Sequence, residues 1–198
     1  MQAASASQLM GNLFSLRLKP ARPFLNCGVD YAGPYLICQG GKRSKMKVKC
    51  YAALFICLVT RAIHIELVSD LTTECFLAAL CRFMARRGRS HNIYSDNATC
   101  FKGANNKLCE LRKVLNSDTF QGEINNFMTT EDVRWHFIPP DSPHFGGLWE
   151  AGIKSMKYHM RRVIGNACIS FEEMSTVLTQ IEACLNSRPP IMSNSLRS

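Results

Sequence analysis

What most constrains the fold of this chain is the order in which its hydrophobic period changes. Three apolar segments come first, at about 24–31, 47–58 and 62–68, and read as strands. In the third, IHIELV alternates and sets His64 and Glu66 on one face. The period then shifts. Phe76, Leu80, Phe83 and Met84 mark one face of a helix over 72–87, with Asp70 or Thr72 to cap it and Gly88 to stop it. A short strand at 92–95, a helix over 105–115, a strand at 133–138 and two closing helices follow. Three hairpin strands succeeded by alternation predict a mixed sheet with helices on its faces, an α/β fold.

Punctuation supports these divisions. Gly33-Pro34 reads as a breaker after the first strand, and Lys42-Arg43-Ser44-Lys45, following Gly40-Gly41, as a hairpin turn. Residues 116–132 are polar and loop-like, and PPDSPHFGG, 139–147, reads as a Pro/Gly-rich loop. The last helix opens on a capping box, Ser170 with Glu173. It turns Met174, Val177, Leu178, Ile181 and Leu185 inward and ends before Pro189-Pro190.

The 198 residues suffice for one domain with a core, and a hydrophobic content of 46% excludes a disordered chain. A net charge of +9 favours a polyanionic partner such as nucleic acid. The ten cysteines include no C-x-x-C pair and no zinc-finger spacing. Most, such as Cys57 and Cys81, sit in apolar segments and read as small buried hydrophobes. No secretory signal is recognisable, so a reducing intracellular setting is expected. The apolar run at 50–59 is too short to span a bilayer, which predicts a soluble protein. Residues 1–23 read as a leader or linker.

Three carboxylates carry the chemistry. Asp30 in CGVDYAGPY and Asp96 in NIYSDNATCF end strands; Glu150 in HFGGLWEAGIKSMK opens a helix. A strand carboxylate is costly to bury unless it is paired or bound to metal. Neighbouring strands lie about 4.8 Å apart, so two such Asp residues on adjacent strands make a ligand pair. All-oxygen donors suit Mg²⁺ or Mn²⁺ and two-metal phosphoryl transfer. Glu150, Lys154, Lys157 and Arg161 step by four, three and four along one helical face, a stripe suited to a phosphate backbone. Ile153, Met156, Met160, Val163 and Ile164 form the inward side. Asn97, beside Asp96, and His144, just before Glu150, join the candidate DNA-contacting residues. The plainer readings are two turn residues and a solvated face with a Glu–Lys pair. For the basic runs Lys42–Lys49 and Arg86-Arg87-Gly88-Arg89, solvated surface is the favoured reading, the second complementing a helix C-terminus. The five histidines form no metal-ligand pattern.

Taken together, GVDYAGPY, the strand-borne SDN, IPPDSPHFGGLWEAGIKSMK and LNSRPP resemble the integrase catalytic core of BEL/Pao-type retrotransposons, in the expected order and over about 20–190. The resemblance implies an RNase H-like mixed five-stranded sheet flanked by helices over 24–190, with a truncated tail at 191–198. It implies an acidic triad of Asp30, Asp96 and Glu150 holding Mg²⁺ or Mn²⁺. DNA end processing and strand transfer in the nucleus, DNA contacts by Lys154 and Lys157, and a homodimer or higher homo-oligomer are expected with it. The Asp96-to-Glu150 interval exceeds that of retroviral integrases, as it does in BEL/Pao relatives, with the surplus at about 104–132. Two residues depart from the pattern: Ala98 stands where the family has Gly, and Cys100 where it has Asn. A zinc-binding domain and a C-terminal DNA-binding domain are missing from the sequence. A fragment of a polyprotein, or an inactive or host-retained remnant that binds DNA or self-associates, is the alternative expectation.

Overall fold

The computed structural model describes residues 20–39, 46–115, 133–138, 143–165 and 167–187. Nine elements lie in these segments: β1 (Asn26–Cys38), β2 (Lys47–Cys57), β3 (Ile63–Val68), α1 (Thr73–Arg87), β4 (Asn92–Ser95), α2 (Thr99–Leu115), β5 (Arg134–Phe137), α3 (Pro143–Ile164) and α4 (Phe171–Asn186). The strands form one five-stranded sheet in the order β3-β2-β1-β4-β5. The β1–β2 and β2–β3 pairs are antiparallel, as hairpins require; β1–β4 and β4–β5 are parallel, as helical crossovers require. The expected mixed α/β sheet is what the chain forms.

Both sheet faces are covered. Ala52, Leu54, Ile56, Ile63, Ile65 and Leu67 turn one way, against Trp149, Ile153 and Met156 of α3 and Met174, Leu178 and Ile181 of α4. Val29, Phe55 and Ile93 turn the other way, against Phe76, Leu80 and Phe83 of α1 and Phe101 and Ala104 of α2. Phe55 and Phe83 stack with centroids 4.2 Å apart, tying α1 to the middle of the sheet.

Several boundaries differ from expectation. β1 does not stop at Gly33-Pro34 but continues to Cys38, its register shifting between Ala32 and Tyr35. A bulge there removes the ladder position that proline, lacking an N–H, could not fill. Helix α2 begins at Thr99, not 105, and runs through Gly103. Gly103 lowers helix propensity but is required by contact: a Cβ would stand 2.3 Å from Thr73 Oγ1 of α1. Helix α3 begins at Pro143, so His144 to Gly147 are helical instead of loop. Proline is at home in a first helical turn, where its missing N–H costs nothing. The 40–45 turn, the 116–132 loop and the terminal segments 1–19 and 188–198 lie outside the described residues.

Helix α1 starts and stops as read, Thr72 accepting from the Cys75 N–H and Gly88 at φ 79°. The Ser170–Glu173 capping box of α4 is also formed. Two side chains expected inside are outside. Val163 is 57% exposed at the rim of the α3 apolar stripe. Cys81 is exposed on the outer side of α1, whose buried positions are Phe76, Ala79, Leu80, Phe83 and Met84. Cys38 and Cys168 form a disulfide, Cα–Cα 6.0 Å, between the end of β1 and the α3–α4 connection. The same junction carries a backbone bond, the Cys38 N–H to the Ile169 carbonyl at 2.9 Å.

The β3 edge is closed by side chains of α4. Asn186 accepts from the Ile63 N–H and donates to the Ile63 carbonyl, both at 2.8 Å, and Glu182 accepts from the Ile65 N–H at 2.8 Å. Helical side chains thus supply what a further strand would. His64 and Glu66 do share a face, and both are buried there, 2.9 Å apart.

Candidate active site

β1 and β4 are parallel neighbours with Gly28 opposite Tyr94. Two residues further along, Asp30 and Asp96 project from the same sheet face, because strand side chains alternate. The end of β4 is fixed by its neighbours. The Ile138 N–H donates to the Ser95 carbonyl at 2.9 Å, and the Trp135 indole donates to Ser95 Oγ at 3.0 Å. One oxygen of each Asp is held by the backbone. Asp30 Oδ1 accepts from the Tyr31 N–H at 2.7 Å, and Asp96 Oδ1 from the Ala98 N–H at 3.0 Å.

Glu150 reaches this face through the seat of its neighbour. Trp149 is buried against Gly28, where a Cβ would lie 2.3 Å from Trp149 Cε3. The missing side chain lets α3 lie directly on β1, carrying the adjoining Glu150 towards Asp30. Burial, with the negative charges of Asp96 and Glu150 behind it, pushes the Asp30 carboxyl up to about 6. The Tyr31 N–H and the positive charge of Lys157 oppose that rise. Asp30, Asp96, Glu150 and Lys157 therefore share one electrostatic neighbourhood, drawn from three elements.

The basic stripe follows. Lys154, Lys157 and Arg161 are exposed on α3. Arg161 bears on Tyr35 of β1, whose hydroxyl burial pushes up to about 12, the Arg161 charge opposing. Asn97 turns inward, its Nδ2 donating to the Ile138 carbonyl at 2.8 Å and bracing the β4–β5 ends. The His144 side chain lies outside the described residues. Ala98 is unstrained: among the described residues, Phe24 and Arg61 are the non-glycine positions with positive φ. Cys100 is buried beside Phe101 in the α1–α2 core.

Half-buried Asp30 and exposed Asp96 and Glu150 offer hard oxygen donors of the kind Mg²⁺ and Mn²⁺ take. Burial first, and the like charges of Asp96 and Glu150 after it, raise the Asp30 pKa against the opposing Lys157 charge. Among the described residues, however, no three Asp, Glu, His or Cys side chains stand at metal-shell spacing. The donor chemistry of these three side chains is of the type that suits a divalent cation. Sequence reading passed over Gly28 and Trp149. The available signal was a glycine inside a strand, which marks a close approach.

The order β3-β2-β1-β4-β5, antiparallel on one side and parallel on the other, with helices on both faces, is an RNase H-like fold. A chain of the simian T-cell lymphotropic virus intasome, solved in complex with PP2A regulatory subunit B56 gamma, shares it with a TM-score of 0.57 at 13% identity. The match covers 87% of this chain and 51% of that one, so this chain spans about half its neighbour's length. The sequence matches no protein-family model and no curated protein.

Proposed function

We propose that this chain is the catalytic core of a retroelement integrase, a metal-dependent polynucleotidyl transferase acting on DNA ends and target DNA. The observation that carries the reading is the convergence of Asp30, Asp96 and Glu150 on one neighbourhood, felt as the raised pKa of Asp30. The intasome chain with the same fold supports it at the level of architecture. Asp30, Asp96 and Glu150 would hold Mg²⁺ or Mn²⁺, with the backbone bonds to Oδ1 of each Asp presenting Oδ2. When bound, such ions would neutralise charge at the scissile phosphate and make water or a 3′-hydroxyl a better nucleophile.

The chain's own groups do the positioning. From Glu150 to Arg161 the helix rises about 16 Å, a track for the phosphate backbone along Lys154, Lys157 and Arg161. Lys157 also offsets the negative charge at Asp30. Homo-oligomerisation and action on nuclear DNA belong to the same proposal. The second reading, a non-catalytic remnant, draws on the lack of a preformed metal shell among the described residues.

Strand joining on a branched DNA substrate with Mn²⁺ decides between them. The parent chain should give product, and Asp96→Asn should lose it by at least about a hundredfold while melting unchanged, the scale seen when one preorganised charge is lost. Folded, DNA-bound parent that gives no product, and no heat of Mn²⁺ binding by calorimetry, supports the remnant.

A further inference from the structure

The end of the sheet opposite the carboxylates gathers cations that the site does not use. There β1, β4 and β5 begin and β2 turns into β3. Backbone bonds lash these starts together: the His91 N–H to the Leu25 carbonyl at 2.7 Å, the Arg134 N–H to the His91 carbonyl at 2.8 Å, and the Leu58 N–H to the Asn26 carbonyl at 3.0 Å. On this frame stand Arg22 before β1, Arg61 in the β2–β3 turn, Arg89 before β4 and Arg134 at the start of β5, with the His91 imidazole, a further polar group, close to Arg89 in sequence. With strands about 4.8 Å apart, the row extends for roughly 15–20 Å.

Part of this charge has a structural reason. Arg22 donates to the Arg87 carbonyl at 3.1 Å and to the Arg89 carbonyl, capping the negative end of α1. Glu182 is engaged by Arg87 and His64. The helix end does not explain Arg61, His91 or Arg134, all exposed. Arg61 is held at φ 61°, where glycine or asparagine would be the easier choice. The Arg134 charge adds to burial in lowering the proton affinity of His136. Like charges lined up at a cost in self-repulsion suit an anionic partner with regularly spaced charge.

We propose that this basic foot of the sheet, Arg22, Arg61, Arg89, His91 and Arg134, is a contact surface for the phosphate backbone of nucleic acid. It lies about 13 Å from the carboxylates, four residues along β1. Binding here is separate from catalysis, so it stands or falls independently of the transferase reading.

The test is the salt dependence of binding to a short labelled DNA duplex, by fluorescence anisotropy. The chain is compared with Arg61→Gln/Arg89→Gln/Arg134→Gln and with Lys154→Ala/Lys157→Ala. Each lost phosphate contact lowers the slope of log K against log salt by about 0.9. The triple variant should lose two to three such steps and about tenfold or more in affinity at low salt, with its melting temperature held. Should the triple variant fail to melt cooperatively, the pair Arg61→Gln/Arg134→Gln carries the test, with a slope loss of about 2. An unchanged slope in the foot variants, or polyglutamate competing as well as unlabelled duplex, overturns the proposal. Failure of strand joining in the parent leaves this measurement untouched.

Discussion

Gly28 and Trp149 illustrate how an absent side chain can place a present one. Any Cβ at Gly28 meets the Trp149 ring, so Gly28→Val should lift the start of α3 and carry Glu150 away from Asp30. The expected result is a loss of about 1–3 kcal/mol in chemical unfolding, as for other overpacked cores. Strand joining should fall by a larger factor than the stability loss explains, because the fraction folded stays near one. Equal activity in the folded variant would remove Gly28 from the site. The acids themselves were legible: a carboxylate at the end of an apolar strand is conspicuous because burial penalises it. Their spacing was not, because it depends on the Trp149 seat and on hydrogen bonds from the Tyr31 and Ala98 N–H groups. Ala98, which stands where the resemblance places a Gly, has no positive φ, and its N–H serves Asp96.

At the scale of elements, α4 holds β3 by a cluster of buried charge. Burial alone would lower the pKa of His64, but hydrogen bonds to Glu182 and Glu66, with their charges, carry it above 6.5. Burial would raise Glu66 and Glu182, but His64 and Arg82 on the first, and His64 and the Ile65 N–H on the second, hold both below 4.5. The His64 contribution is therefore complete below 6.5 and fades as pH rises through its raised folded value. That of the glutamates is complete above 4.5 and fades as pH falls through their lowered values. Melting temperature should peak between about pH 4.5 and 6.5 as far as this cluster governs it, and His64→Gln should flatten the alkaline side. An alkaline slope that survives His64→Gln would show that other groups govern it. Local signals identified every described helix and strand, since the 3.6 and 2.0 periods are written in single segments. They misjudged the starts of α2, placed at 105 instead of Thr99, and of α3, whose first turn lies in the run read as a Pro/Gly-rich loop. Contact with Thr73, absent from any local window, decides the first of these.

Across the whole molecule, the sheet order follows from hairpins first and crossovers after, and could be argued from the sequence of elements. The Cys38–Cys168 bond could not, because 130 residues separate partners that only the finished fold brings together. Reducing it, or making Cys38→Ser/Cys168→Ser, should cost about 2–4 kcal/mol in unfolding free energy. Identical unfolding midpoints with and without reductant would mean that the link is absent in solution. The bond also changes what kind of object the chain is. From Cys38 to Cys168 the polypeptide is a closed ring, with Asp96, Glu150 and the basic stripe on it, while Asp30 hangs from one exit and α4 from the other. A single cut anywhere between the two cysteines would open the ring without parting the molecule. The three carboxylates would remain on one covalent body, and only a reducing agent would let the halves go.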